Sequence, residues 1–324
     1  EQAHVDLDLL TLASLNNRNK RKKEKIMWDI QILGVDLYHI LFWLILYSFM
    51  GWIWESCYVS IKEKKLVNRG FVTGPVCTIY GVGAMTVYLI LRPLEDHGLW
   101  LFLGGIILPT ILEYLTAWVM ETLFHTRWWD YSERSFNLHG RICLGCSIAW
   151  GFFTLLMFEL LQPFAQWVIG LFDVATGHAF IILCGILYCV DFIVSSLAAF
   201  QLGEKLEALQ TAMEEFIEYL QTTKVYSSAE EAREVFGNYK KHLPTKKEFQ
   251  EKLEEYQSRI AGKIEEKGLA EYAESIRSHT KGFREQYQEK VSRITGVNKR
   301  FMKAYPTIHR VSGRRKDKKE TEEK

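Results

Sequence analysis

The chain has 324 residues and a formal net charge of +1, with 40 basic and 39 acidic side chains. This balance excludes a typical nucleic-acid-binding protein, which would carry a strong basic excess. The mean hydropathy of −0.06 averages two unlike halves, because the chain is apolar and aromatic over 36–202 and highly charged from 203 onward. We therefore expect a transmembrane bundle over 36–202, followed by a soluble domain.

The two ends of the chain differ from both halves. Residues 1–35 are expected to be a disordered N-terminal extension. Their basic run at 18–25 has no apolar core behind it like that of a signal peptide. We interpret 1–26 as lying outside the fold. The charged tail 306–324 is expected to be disordered.

Apolar runs of about 20 residues or more are long enough to cross a bilayer. Such runs cover about 37–61, 71–91, 99–124, 140–162 and 177–201. Pro109 lies inside the third run, and Pro163 is expected to end the fourth. The short segment 164–172 either lies in the interface or extends the fourth helix beyond a kink. The predicted fold is all-α, a polytopic membrane helix bundle of about five spans followed by a cytoplasmic helical-hairpin domain.

The soluble segment 203–305 is expected to form amphipathic helices. One apolar stripe runs along 203–222, and capping boxes at 228–231 and 245–248 start two further helices. These stripes favour antiparallel hairpins. The short basic and aromatic segment 297–305 is expected to touch lipid headgroups.

Basic residues are concentrated in the loops on one side of the predicted bundle. The loops at 62–69 and 127–141 carry most of them, and the charged C-terminal half emerges on the same side. The positive-inside rule then places the C-terminal domain in the cytoplasm of a multi-pass cell-membrane protein. The basic run at 18–25 favours the opposite orientation, which stays as the alternative.

Ionisable residues inside apolar spans are costly to bury, so each is a candidate functional residue. Most of them lie toward the predicted cytoplasmic ends of their spans, on the same face as the polar connection 128–141. We expect a pocket lined by carboxylates and two arginines, with this connection as its lid. The candidate substrate- or ion-binding residues are Glu55, Asn68, Arg69, Glu113, Glu121, Asp130, Tyr131, Asn137, His139, Arg141 and Asp191.

Each candidate also has a structural interpretation. Arg69 and Arg141 could simply neutralise buried carboxylates and set helix register. The aromatic residues of 128–131 could form a belt at the membrane interface. His139 and Asp130 could cap neighbouring helix ends.

Three segments together resemble one protein family. They are Gly51-Trp-Ile-Trp-Glu55, Asn68–Pro75 with Ile79-Tyr-Gly81, and Trp129–Tyr131 followed by Asn137-Leu-His-Gly-Arg141. They resemble the bacterial membrane proteins described as putative ABC-transporter type IV, or CmpB-like, over about 37–201, with a partial echo at 300–306. The resemblance implies a transporter permease, and it assigns no catalytic or binding residues.

Three functions stay open from the sequence, in this order. The first is a membrane component of an ABC-type transporter, with its ATPase on a separate subunit because the chain has no GxxxxGK[ST] motif; the carboxylates would bind a cation or cationic substrate. The second is an intramembrane enzyme acting on lipid or a lipid-linked substrate, with carboxylates that do acid–base work or hold a divalent cation. The third is a membrane-anchored scaffold. The expected partners are the bilayer, that ATPase and a second copy of the chain, with no nucleic acid; no cofactor is expected in the chain itself.

Overall fold

The protein is described by a computed structural model, which covers residues 28, 30–222, 258, 262, 273–305 and 308–310. Predictions for most of the N-terminal extension, for both capping boxes and for most of the charged tail lie outside the described residues. The described residues are helical apart from short strands and connections, which confirms the predicted all-α fold class.

Helices carry almost all of the regular structure. The helices are α1 (Leu37–Glu63), α2 (Thr78–Leu91), α3 (Gly98–Phe124), α4 (Leu144–Leu156), α5 (Gln162–Gly170), α6 (Val174–Thr222), α7 (Ala273–Ser292) and α8 (Gly296–Ala304). A 3₁₀ turn, Arg92–Leu94, follows α2, and a π-helical segment, Met157–Leu161, joins α4 to α5. Antiparallel pairs join β1 (Gln31–Ile32) to β2 (Val35–Asp36), β3 (Thr126–Arg127) to β6 (His309–Arg310), and β4 (Asn137–Leu138) to β5 (Ile142–Cys143).

Among the described residues, four helices are long and apolar enough to cross a membrane. They are α1, α3, the joined helix Leu144–Gly170, and Val174–Tyr219 within α6. No more than 33% of the most apolar window of any of them is buried inside the protein. Most of their side chains are therefore left to face lipid, and the chain is a multi-pass membrane protein.

The second predicted span is wrong in its first part. We expected an apolar helix from about residue 71, but α2 begins only at Thr78, and with its 3₁₀ turn it is shorter than the four long helices. Pro75 disfavours helical backbone at the residue before it. Gly70 has a φ of +141°, which no ordinary helix allows. The residues before Thr78 therefore form a non-helical connection that is bent over 70–75.

The prediction that Pro163 ends the fourth span is also wrong, because the helix continues to Gly170. A proline ring clashes with the carbonyl four residues earlier, here that of Glu159. The π-helical segment widens this turn, and the Gln162 N–H bonds to the carbonyl of Met157, five residues back. The alternative prediction, that 164–172 extends the fourth helix, is the one observed.

Helix α6 is continuous over 49 residues. The predicted boundary between membrane and soluble parts, at 202/203, falls inside it. Gly203 does not interrupt the helix, and a Cβ there would lie 2.7 Å from the carbonyl oxygen of Phe124. Glycine at 203 is therefore explained by close packing against the end of α3.

The described residues fall into two compact units. The first contains the chain up to Tyr58, Gly74–Leu112 and Gly145–Val190; the second contains Val59–Thr73, Glu113–Leu144 and the chain from Asp191 onward. The core of the first unit includes Trp43, Tyr88 and Met157. The core of the second includes Trp128 and Phe301. The second unit holds all predicted site residues except Glu55.

Candidate functional site

A buried carboxylate near the end of α3 is held by two arginines. Glu121 is only 7% exposed. Its Oε1 accepts a hydrogen bond from Arg127 Nε at 2.7 Å, and its Oε2 accepts two from Arg141, at 2.9 Å from Nε and 2.7 Å from Nη2. Arg127 Nη1 also lies 3.5 Å from Asp130 Oδ1. We call these four residues the Glu121 network; their formal charges cancel, and Arg141 neutralises a buried carboxylate, as in its structural interpretation from the sequence.

The connection after α3 folds back on itself, and this brings both arginines to Glu121. The Tyr131 N–H donates to the Gly140 carbonyl at 2.7 Å. The Asn137 side-chain amide donates to the carbonyls of Ser132 at 3.2 Å and Arg134 at 2.8 Å, and its Oδ1 accepts from the Gly140 N–H at 3.1 Å. Asn137, a predicted site residue, therefore stabilises the loop through hydrogen bonds with three of its backbone groups.

Gly140 lies where the loop comes closest to the network. Its φ is +69°, and a Cβ at this position would lie 2.5 Å from Asp130 Oδ1 and 3.0 Å from Arg127 Nη1. A side chain here would be strained and would also displace the charged groups. The glycine beside Arg141 is therefore required by the close approach of backbone to the network.

Two charged groups of the network outside the membrane helices have shifted pKa values. Hydrogen bonding to Glu121 raises the pKa of the Arg141 guanidinium, against the opposing effect of burial. Burial alone would raise the pKa of Asp130, but the hydrogen bonds from Ser132 and the positive charge of Arg127 lower it below its ordinary value. Both shifts favour the charged form, as a mutually neutralising network requires.

A hydrogen-bond chain leads from the network to an exposed histidine. Arg141 Nη1 donates to the hydroxyl oxygen of Tyr114 at 2.9 Å, and this oxygen lies 3.1 Å from Nδ1 of His139. One residue earlier on α3, the buried Glu113 accepts a hydrogen bond from the Tyr131 hydroxyl at 3.1 Å. The predicted site residues of the connection therefore contact α3 at two places along the helix, at Glu113 and Tyr114 and at Glu121.

A second group of predicted residues surrounds the connection between α1 and α2. Asn68 Nδ2 donates to the Thr73 carbonyl at 2.8 Å, and Asp191 Oδ1 accepts from the Thr73 N–H at 3.0 Å. The guanidinium of Arg69 lies 4.0 Å from the centre of the Tyr305 ring and donates to a carbonyl at the end of α8. These contacts hold the connection and the C-terminal helix together.

Glu55 contacts an aromatic residue of the first unit. Its Oε1 accepts a hydrogen bond from the Tyr80 hydroxyl at 2.6 Å. Gly51, one turn earlier on α1, packs so closely that its Cβ would lie 2.3 Å from Tyr80 Cβ. Two of the segments that carry the family resemblance thus meet in one contact inside this unit.

Helix α8 packs against the connections, although the sequence predicts headgroup contact for it. Arg300 donates to the carbonyls of Gly70 at 2.8 Å and Phe71 at 2.6 Å. The buried Phe301 ring contacts Phe71 and Trp128. Trp128 is 2% exposed, so it is a core residue of this unit and no part of an interfacial belt. The partial echo at 300–306 is the sequence signal that singles out this segment.

Sequence reasoning misses Arg127 and Tyr114, which both belong to the site. Tyr114 precedes Glu121 by seven residues, which places the two on one face of α3, two turns apart. Arg127 follows the end of α3, and only the folded connection brings it back to Glu121. Tyr114 could have been found from helical periodicity, whereas Arg127 could not.

The Glu121 network is already paired within itself. Both carboxylate oxygens of Glu121 accept guanidinium hydrogen bonds. A cationic ligand would therefore have to displace an arginine from Glu121, and an anionic ligand would have to bind an arginine in place of Glu121. Among the described residues, no group of three or more His, Cys, Asp or Glu side chains is placed to hold a metal ion. A divalent cation stays a prediction from the sequence alone.

Comparison with known proteins finds a family whose profile matches part of the chain. The sequence profile of the family described as "Putative ABC-transporter type IV" matches residues 42–196. Neither the curated proteins nor the solved structures contain a significant match. The matched region includes all four residues of the Glu121 network and most of the long apolar helices. Residues 42–196 of this chain are therefore similar to the putative ABC-transporter type IV family.

Proposed function

We propose that the chain is the membrane-embedded permease component of an ABC-type transporter and that the Glu121 network is its polar site. The family and the four long apolar helices support a transporter component. The observation that carries the site assignment is Glu121 itself, buried at the end of a membrane helix and bonded to two arginines. Ionisable residues kept inside membrane helices commonly mark transport paths and their control elements.

The network gives the proposed transporter a mechanical link. Glu121 belongs to α3, whereas Arg127, Asp130 and Arg141 belong to the connection that follows it. Ion pairs shielded from water are strong, and a buried charge that loses its partner is costly. A movement of the connection would therefore also move the end of α3. An ATPase subunit that contacts this connection would use that link to move the helix.

The network also limits how a substrate would bind there. An anion would compete with Glu121 for the guanidinium groups, and a cation would compete with the arginines for the carboxylate. Binding of either sign would loosen the bonds between the connection and α3. Substrate and ATPase would then act on the same link, which is the coupling that a transporter needs.

The proposed orientation places this site at the cytoplasmic face. The two connections of the second unit contain Lys64, Lys65, Arg127 and Arg141, and Lys62 lies in the last turn of α1. The positive-inside rule assigns such basic segments to the cytoplasm. The C-terminal helices α7 and α8 would then be cytoplasmic as well, on the side where an ATPase has access to ATP.

The test is association with an ATPase and its control by Glu121. The tagged full chain, expressed with the products of adjacent genes, should co-purify with a nucleotide-binding subunit and change its rate of ATP hydrolysis. Glu121→Gln should reduce that effect at least tenfold while the complex stays intact. Arg134→Gln, which removes an exposed charge of the same connection, should leave it unchanged. If no nucleotide-binding subunit associates with the wild-type chain, the proposed function is wrong.

A further inference from the structure

The three most exposed large apolar side chains of the described residues lie in the second unit, in the last turn of α1 and in two connections. Leu66 is 89% exposed, Phe136 81% and Ile61 78%. Ile61 is in the last turn of α1, Leu66 follows it by five residues, and Phe136 lies in the connection between α3 and α4. Large apolar side chains with this degree of exposure, close to the ends of membrane helices, are placed to contact lipid.

Both connections are at the same end of the unit. Val59 and Val67, which flank the first connection, share one buried core with Phe124 and Trp128, which flank the start of the second. The two sets of exposed apolar side chains therefore belong to one end of the helices and can contact one surface.

The ends of the membrane helices place these side chains at the level of the lipid headgroups. Helix α1 has 27 residues, so it is about 40 Å long, close to the thickness of a bilayer with its headgroups. Ile61 lies in its last turn. The carbonyl of Phe136 accepts a hydrogen bond at 3.2 Å from the N–H of Leu144, the first residue of the next membrane helix. Phe136 therefore lies close to the residue at which this membrane helix begins.

Three lysines lie between the two exposed apolar residues Ile61 and Leu66. Lys62, Lys64 and Lys65 are all exposed between Ile61 and Leu66. The acid within this run, Glu63, lies 3.2 Å from Lys65 in an ion pair, so the run keeps a net positive charge. A basic run flanked by exposed apolar side chains is typical of a segment that lies on an anionic lipid surface.

The backbone holds this run in place even though one position is unfavourable. The Lys64 N–H donates to Ile61 O at 3.3 Å and the Lys65 N–H to Ser60 O at 3.2 Å, which is the hydrogen-bond pattern of a Schellman motif. Glycine is the usual residue at the left-handed position of that motif, but here it is Lys64, with φ +51°. Lysine therefore occupies a position at which glycine would be less strained.

We propose that Ile61, Lys62, Lys64, Lys65, Leu66 and Phe136 form a lipid collar that binds anionic phospholipid. The three apolar side chains enter the boundary between headgroups and acyl chains, and the lysines contact the headgroup phosphates. A protein partner is the rival occupant. A basic run flanked by exposed apolar side chains, each close to a membrane helix end, fits a lipid surface better than a protein groove.

Insertion is tested with a small fluorescent amino acid placed in the full chain at position 66 or 136. The protein is reconstituted into phosphatidylcholine vesicles containing about 30% phosphatidylglycerol, an anionic proportion chosen to supply the headgroup charge described above. Lipid brominated in its acyl chains should quench both positions several-fold more than a probe at Lys281, an exposed residue of α7. Aqueous iodide should show the reverse order. Equal iodide quenching at 66, 136 and 281 would overturn insertion.

Headgroup selectivity is tested with the triple variant Lys62→Gln, Lys64→Gly, Lys65→Gln. Glycine at 64 keeps the fold, because it suits the left-handed backbone. Mass spectrometry of lipids retained after extraction should show the ratio of phosphatidylglycerol to phosphatidylcholine falling, by up to about fivefold for each lysine removed. The matched control is Arg277→Gln, Lys281→Gln, Lys290→Gln on α7, which should retain the wild-type ratio. An unchanged ratio in the first triple variant would overturn the role of the lysines.

Discussion

Arg141 donates two hydrogen bonds to a single oxygen of Glu121, which lies 20 residues earlier in the chain. This pair closes the polar connection onto the membrane helix that precedes it. Because Arg127 bonds to the other oxygen, the carboxylate is compensated from two sides. Removing one partner of such a buried pair leaves an uncompensated charge, so the effects of substitution here should be large.

Arg141→Lys keeps the positive charge but loses the planar guanidinium group, which donates from Nε and Nη2 to Glu121. A lysine can replace at most part of the two bonds to Glu121, and it also loses the bond to Tyr114. We expect the free energy of unfolding to fall by about 1–2 kcal/mol. Denaturation of the protein in detergent measures this. Arg134→Lys, at an exposed position of the same loop, should change stability by less than about 0.5 kcal/mol.

Gly140→Ala tests the close approach of backbone to the network. The new methyl group would lie 2.5 Å from Asp130 Oδ1, on backbone with φ +69°. We expect destabilisation of at least about 2 kcal/mol, because the strained backbone and the displaced carboxylate both contribute.

The matched control for this substitution is Gly145→Ala. Gly145 lies in α4, and nothing is within 4 Å of its Cβ position. Alanine there should be neutral or should stabilise the helix by up to about 1 kcal/mol. Equal thermal stability of the two variants would show that the space around Gly140 is not restricted.

Asp130 should make the stability of the protein depend on pH in the acid range. Its pKa in the folded protein lies below the unfolded value of 3.8, so its stabilising effect is complete above about pH 4. The effect is lost as the pH falls through the folded pKa. The difference in melting temperature between wild type and Asp130→Asn should therefore be largest at neutral pH and should shrink below pH 4.

Ser132→Ala provides a second measurement of the same effect. Ser132 donates to Asp130 from both its N–H and its hydroxyl, and the substitution removes only the hydroxyl bond. This variant should show part of the acid dependence of wild type. If all three proteins lose stability in parallel as the pH falls, Asp130 does not contribute through its charge.

Phe301 should be essential for holding α8. Its ring is fully buried and lies 4.8 Å from the Trp128 ring, centre to centre. Phe301→Ala should cost about 3–5 kcal/mol and should make the segment after α7 sensitive to limited proteolysis. Lys303→Ala, at an exposed position of α8, should leave the cleavage pattern as in wild type. Full protection of the Phe301→Ala variant would contradict this role.

Long apolar runs made the membrane helices predictable. The predicted third span, 99–124, differs from α3 by one residue, because a run of this length and composition has few alternatives to a helix in lipid. The errors occurred where local backbone chemistry was decided by distant contacts or by a rare helix type. The connection before Thr78 is held by Arg300 and Asp191, and the turn at Pro163 depends on a π-helical segment.

The candidate residues were predictable as a set, because ionisable groups in apolar runs stand out in any sequence. Their pairing was not. Periodicity along α3 relates Tyr114 to Glu121, but nothing in the sequence brings Arg127 back to the helix or places Tyr305 over Arg69. The sequence by itself determined that this is a helical membrane protein with costly charges near its helix ends. Only the tertiary structure decided which charges neutralise one another, since an ion pair forms between groups that are close in space, at any separation along the chain.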